Sequence, residues 1–195
     1  MSKKKTLPEL PSIEALEAEI SRKKHKQNQR YLLRNTLYAL LTVSAVTVLV
    51  AFLLISPLKT YGSSMTPTLE KDEIVVALKT KTAEPGDVIA FYYNNKLFIK
   101  RVIALGGSTV DMDEEGAISV DGVILEEPYL TEKAFGNGDV EFPFEVPENQ
   151  YFVLGDNRAS SADSRSSILG CVDPDNMLGR VVFRVWPLKR FGTIQ

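Results

Sequence analysis

Histidine and cysteine are almost missing from this chain: 195 residues hold one of each, His25 and Cys171. A lone cysteine excludes an internal disulfide and any cysteine-based metal cluster. Zinc sites draw mostly on histidine and cysteine, so a zinc centre with its usual ligands is excluded as well. Net charge is also scarce, at −2, but it is unevenly spread. Residues 1–35 carry nine Lys/Arg (Lys3, Lys4, Lys5, Arg22, Lys23, Lys24, Lys26, Arg30, Arg34) against four Glu. The remainder carries fourteen basic and twenty-one acidic residues. There is no internal repeat and no low-complexity tract. A chain of this length, 44% hydrophobic and 25% charged, fits one principal folded domain.

What the chain does possess is one long uncharged run. From Asn35 to Leu58 there are 24 residues without a formal charge, bracketed by Arg34 and Lys59. A hydrocarbon layer of about 30 Å needs roughly 20 helical residues, so the run predicts a transmembrane helix over 36–58. Its hydroxyls, Thr42, Ser44 and Thr47, are tolerable because each can bond back to the helix. Pro57 is expected to end it. The run exceeds the ~7–15-residue apolar core of a cleavable leader. The basic excess ahead of it predicts that residues 1–35 are cytoplasmic and that 59–195 lie outside, in a single pass. Within the N-terminal segment, Ile13, Leu16 and Ile20 suggest a short amphipathic helix after Pro11-Ser12. A loosely structured topology signal is the plainer reading there.

Beyond the anchor the pattern changes to short apolar runs punctuated by turns. Ile74–Leu78, Val88–Tyr93, Leu97–Ile103, Tyr151–Leu154 and Arg180–Trp186 read as strands. Asn94-Asn95 and Asp121-Gly122 read as hairpin turns, since these residues tolerate positive φ. Residues 108–150 alternate quickly between short strands and turns and predict a loosely attached β subdomain inserted in a core of 59–107 and 151–195. The fold class is therefore mainly β: one transmembrane helix followed by an all-β domain.

The chemistry turns on Gly62-Ser63-Ser64-Met65-Thr66-Pro67-Thr68-Leu69, a turn-like run just past the anchor. A serine nucleophile needs a base, ordinarily histidine. His25 lies on the wrong side of the anchor from Ser64, so a lysine held neutral by burial becomes the candidate. Lys100 sits in Leu97-Phe98-Ile99-Lys100-Arg101-Val102-Ile103, where apolar neighbours would strip its hydration and lower its pKa. On composition alone, Lys100 and Arg101 read better as a pair snorkelling from a strand edge.

The ordered set of segments adds what no single one carries. The Ser64-Met65-Thr66-Pro67-Thr68-Leu69 segment resembles the nucleophile box of bacterial type I signal peptidases. Pro85-Gly86-Asp87-Val88-Ile89 is similar to the next box, and Lys100-Arg101-Val102-Ile103 to the general-base strand. Gly155-Asp156-Asn157-Arg158 through Asp163-Ser164-Arg165 is similar to the last. Glu127-Pro128-Tyr129-Leu130 and the tail from Phe183 to Leu188 also resemble the family. The resemblance spans about residues 36–191, in the family's order.

The resemblance implies a catalytic domain of coiled antiparallel sheets and a Ser/Lys dyad, with Ser64 as nucleophile and Lys100 as general base. It implies that Ser161 orients the lysine and that Asp163 and Arg165 buttress the site. The backbone N–H of Ser64 would supply the oxyanion hole. Many Gram-negative relatives carry a serine donor at the position of Gly62, so this chain resembles Gram-positive members and leaves the second donor to backbone or water. Met65, Leu69, Phe98 and Ile99 align with shallow pockets for the small residues of an Ala-x-Ala site. For Leu69 and Ile99, core packing is an equal reading, and Asp156 and Asn157 read as turn-shaping residues. Ser64 lies within roughly 18 Å of extended chain from Lys59, within reach of peptide bonds emerging from a bilayer.

The expected function is thus removal of signal peptides from secretory preproteins at the bacterial cell membrane. No metal, other cofactor or nucleic acid is expected to take part. Two alternatives stand beside it: a self-cleaving regulator protease of the same superfamily, and an inactive membrane-anchored binding module.

Overall fold

The computed structural model describes residues 12–194; Lys3, Lys4, Lys5 and Pro11 lie outside that range. The chain divides into a unit up to Ala51 and a unit from Phe52 onward. Helix α1 runs unbroken from Ile13 to Leu54. At 42 residues it is roughly 63 Å long, so the basic segment and the apolar run form one helix. This replaces both the separate short helix and the loose signal expected around Ile13–Ile20. Glu19 and Lys23, four positions apart, pair at 3.2 Å. Thr42, Ser44 and Thr47 bond back to carbonyls three or four residues earlier, at 2.9–3.0 Å, and so hide their hydroxyls from an apolar surrounding.

The helix stops at Leu54, short of the expected boundary at 58, and Pro57 does not end it. Ile55–Lys59 instead form strand β1, paired antiparallel with β2 (Ile74–Leu78). Lys79 caps the helix end from the β side: its N–H donates to Leu54 O at 2.8 Å and its Nζ to Phe52 O at 3.0 Å. Pro57 is tolerated because β1 is an edge strand.

The strands of the second unit pair antiparallel. Its main sheet has the order β1-β2-β10-β3-β4-β9, with β3 at Val88–Tyr93, β4 at Lys96–Leu105, β9 at Tyr151–Leu154 and β10 at Met177–Trp186. A short β11 (Gly192–Thr193) pairs with β10. Asn94 and Asn95 both take positive φ in the β3–β4 hairpin, as expected of an Asn-Asn turn.

The region between β4 and β9 folds as a small sheet of order β7-β6-β5-β8. It comprises β5 (Thr109–Met112), β6 (Ile118–Val120), β7 (Val123–Ile124) and β8 (Phe144–Glu145). Asp121 and Gly122 turn β6 into β7 at φ 52° and 80°. The expected loose attachment is not what is found. Val110, Met112, Ile118 and Val146 pack in one cluster with Ile103 and Ala104 of β4 and Phe152 and Leu154 of β9. Shared burial of this kind couples the two sheets, since opening them would expose all eight apolar side chains.

A second cluster joins Met65 and Leu69 to Val75, Ala77, Val88, Ala90 and Val181. It seats the Ser64–Leu69 segment on β2, β3 and β10. A charged clasp does the rest. Buried Glu73 accepts from Arg184 Nε at 2.8 Å and from an Arg190 terminal nitrogen at 2.9 Å. Arg184 also donates to Thr68 O, and Arg190 to Pro67 O at 2.8 Å. The C-terminal arginines therefore hold the carbonyls of the segment that follows Ser64.

Candidate active site

Ser64 lies on the turn between β1 and β2, half-buried, and Lys100 lies mid-way along β4, 2% exposed. Both line one cavity of about 560 Å³. Leu69, Phe98 and Ile99 contribute apolar wall, and Ser160 and Ala162 stand on the loop side. The structure therefore brings the two expected catalytic side chains to one space, with Met65 and the three other expected pocket residues around it. Met65 and Leu69 are at the same time core residues, 4% and 2% exposed, as the packing reading of Leu69 expects.

Burial pushes the Lys100 ammonium down to about 8. Loss of hydration is the leading cause; the Asp163 carboxylate opposes it, Arg165 adds to it and Asp156 again opposes it. Among the described residues no carboxylate stands within ion-pair reach of Lys100, whereas the arginines nearby are all paired. At 2% exposure Lys100 is no snorkelling edge residue. His25 is on α1, and the Cys171 thiol is pushed up to about 11 by burial, which keeps it protonated. Among the described residues no three His, Cys, Asp or Glu side chains converge to hold a metal ion.

The loop after β9 supplies the framework. Asp163 is engaged on every side: it accepts from Arg165 through both Nε and a terminal nitrogen at 2.8 Å, and from Gly155 N–H at 3.0 Å. Arg165 also donates to Phe135 O at 2.6 Å, which ties the loop to the inserted region. The glycines of the 135–139 turn let the backbone approach Arg165 closely. A Cβ at Gly136 would come within 2.5 Å of the Arg165 guanidinium, and one at Gly138 within 2.8 Å of Arg165 Cβ.

Gly155 is the closest point of the site. A Cβ there would stand 2.0 Å from Ser161 Oγ and 2.5 Å from Ser64 O, so only glycine fits between the two serines. Ser161 is 8% exposed, and its hydroxyl has no hydrogen-bond partner among the described residues. Gly62 takes φ +79°, a left-handed conformation, with open space where a side chain would begin.

Two buried ion pairs were not legible beforehand. Arg101 grips Asp156 through Nε at 2.9 Å and a terminal nitrogen at 2.8 Å. Its guanidinium lies 3.9 Å over the Tyr129 ring. Arg158 grips Glu127 at 2.6 and 3.2 Å and donates to Gly155 O at 3.1 Å. The segment Glu127–Tyr129, noted only as familial, is thus clamped against β4 and the loop. No local pattern announces these pairs, because their partners are 31 and 55 positions apart.

A family model described as "Signal peptidase, peptidase S26" matches residues 33–186. The chain belongs to the signal peptidase family. It is 35% identical to signal peptidase IB of Staphylococcus aureus over 158 residues, which cover 71% of this chain and 81% of that one. It is 33% identical over 169 residues to a probable signal peptidase I-1 of a Synechocystis species, covering 80% and 83%. A crystal structure of a signal peptidase I from Enterococcus faecalis aligns with 51% of this chain and 97% of its own, at 31% identity and a TM-score of 0.44. Membership makes the protein a peptidase. The family is membrane-associated, and this member carries one N-terminal helix long and apolar enough to cross a bilayer.

Proposed function

We propose that the protein is a membrane-anchored serine endopeptidase that removes signal peptides from secretory preproteins with a Ser64/Lys100 dyad. The observation that supports it most is that half-buried Ser64 and desolvated Lys100 line one cavity. With its pKa near 8, a useful share of Lys100 is neutral at physiological pH. The neutral amine takes the proton from Ser64 Oγ as the oxygen adds to the scissile carbonyl. The resulting ammonium then protonates the departing amine, and the cycle repeats with water on the acyl-enzyme. Ser64 N–H faces the developing oxyanion, and Ser161, with its buried hydroxyl uncommitted, is free to orient the lysine.

The apolar wall formed by Met65, Leu69, Phe98 and Ile99 supports a substrate with small side chains before the cut, of the Ala-x-Ala kind. Helix α1, exposed on all sides, would place the basic segment in the cytoplasm and the β domain outside, at the bilayer surface from which signal peptides emerge. The full-length protein in detergent or vesicles should cut a preprotein after its Ala-x-Ala site. Ser64→Ala and Lys100→Ala should each reduce that cleavage at least about 1,000-fold. Cleavage at near wild-type rate by either variant sinks the dyad.

A further inference from the structure

Asn157 reads from sequence as a turn residue, yet in the structure it grips the nucleophile's backbone twice. Its own N–H donates to Ser64 O at 3.0 Å. Its side-chain Nδ2 donates to Ser63 O at 3.2 Å. The second bond is the informative one. Ser63 O belongs to the same peptide group as Ser64 N–H, and that peptide is not among the cis bonds of the chain. In a trans peptide the carbonyl and the N–H point in opposite directions within one rigid plane. A donor fixed on Ser63 O therefore sets the direction in which Ser64 N–H points. It also draws electron density toward the carbonyl oxygen, which makes the N–H at the other end a stronger donor.

Thr66 N–H donates to the same oxygen at 3.1 Å, so Ser63 O is held from two sides. Asn157 in turn is rigidly placed. Its neighbours Asp156 and Arg158 are locked in the buried pairs with Arg101 and Glu127, and Gly155 is wedged between Ser161 and Ser64.

We infer that Asn157 is a positioning residue that aims and polarises the oxyanion-binding N–H of Ser64. The inference rests on the dyad reading above, because it needs Ser64 to be the attacking residue. It also bears on Gly62. With no side chain at 62 to supply a hydroxyl, the backbone donor at Ser64 carries more of the oxyanion's charge, and its orientation matters more.

The test compares Asn157→Asp with Asn157→Ala in the full-length protein, using a signal-peptide substrate and measuring kcat and KM separately. Aspartate shapes a turn as well as asparagine does, but its carboxylate has no N–H for Ser63 O and repels it. Both variants should lose about 10- to 100-fold in kcat with little change in KM, aspartate losing at least as much as alanine. In Asn157→Ala the pH-rate profile should keep its midpoint near 8, since no charge is added beside Lys100. Wild-type kcat in Asn157→Asp overturns the inference. So does loss of the cooperative thermal transition in both variants, which would mark a structural role. Ser64→Ala, run alongside, separates the two layers. Near wild-type activity there breaks the dyad itself, whereas a Ser64→Ala reduced about 1,000-fold beside a fully active Asn157→Asp breaks only the positioning role.

Discussion

Lys100 and Arg101 are neighbours on one strand and almost equally inaccessible, at 2% and 1% exposure, yet they are treated in opposite ways. Arg101 is given a bidentate carboxylate in Asp156, the carbonyl of Gly86 at 2.7 Å and an aromatic face in Tyr129. Its charge is compensated on several sides, as a group that cannot deprotonate requires. Lys100 is buried without such a partner, and burial drives it toward the neutral amine. One residue is made into a brace, and the other is left in the desolvated state that the proposed base requires. The difference lies in what the fold brings to each, since the strand itself buries both.

The sharpest way to break this contrast is to exchange the chemistry. Lys100→Arg puts a permanent cation where the proposed dyad needs a neutral amine. Cleavage of a signal-peptide substrate should fall at least about 1,000-fold, although the charge is formally conserved. Retained turnover would mean that Lys100 contributes only its positive charge.

Removing the brace should act on stability instead. Arg101→Met leaves the Asp156 carboxylate buried without its guanidinium, and urea unfolding of the detergent-solubilised protein should show a loss of about 3–5 kcal/mol. A change near zero would show that water reaches Asp156 and that the pair is less enclosed than its exposure implies.

The mildest effect is expected from Lys100→Met, which keeps volume and removes the charge. Wild-type Lys100 has a folded pKa near 8, below the ordinary 10.5, so the folded state binds its proton less well than the unfolded chain does. Its charging therefore costs stability, in full below pH 8, and the cost fades as pH rises from 8 through 10.5. Lys100→Met should accordingly be more stable than wild type at pH 7 by up to about 3 kcal/mol, with the gap closing by pH 10.5. A methionine variant less stable than wild type at every pH would refute a desolvated lysine.

Much of the fold was legible because it depends on local patterns. The uncharged run, the strands at Val88–Tyr93 and Tyr151–Leu154 and the turns at Asn94-Asn95 and Asp121-Gly122 follow from periodicity and from φ preferences carried by single residues. The helix end was misplaced for a non-local reason: Ile55–Lys59 pair with β2, and that pairing overrides both apolar continuity and Pro57. The attachment of the small sheet was misjudged likewise, because its core partners Phe152 and Leu154 come from a strand some forty residues away in the chain. At the site, Ser64 and Lys100 were readable as candidates from ordered motifs and from the shortage of histidine. Glu73, Glu127 and Arg158 were not, since a buried ion pair has no sequence period.

The sequence by itself determined the parts: an apolar span, a β domain and a serine that has no histidine to serve it. It even named the lysine through its ordered motifs, although on composition alone Lys100 reads better as a solvated edge residue. Only the tertiary structure decided between those states. A lysine's pKa is set by the water and charge around it, and that surrounding is assembled here from β4, the Ser64 turn and the loop after β9, segments that meet only on folding.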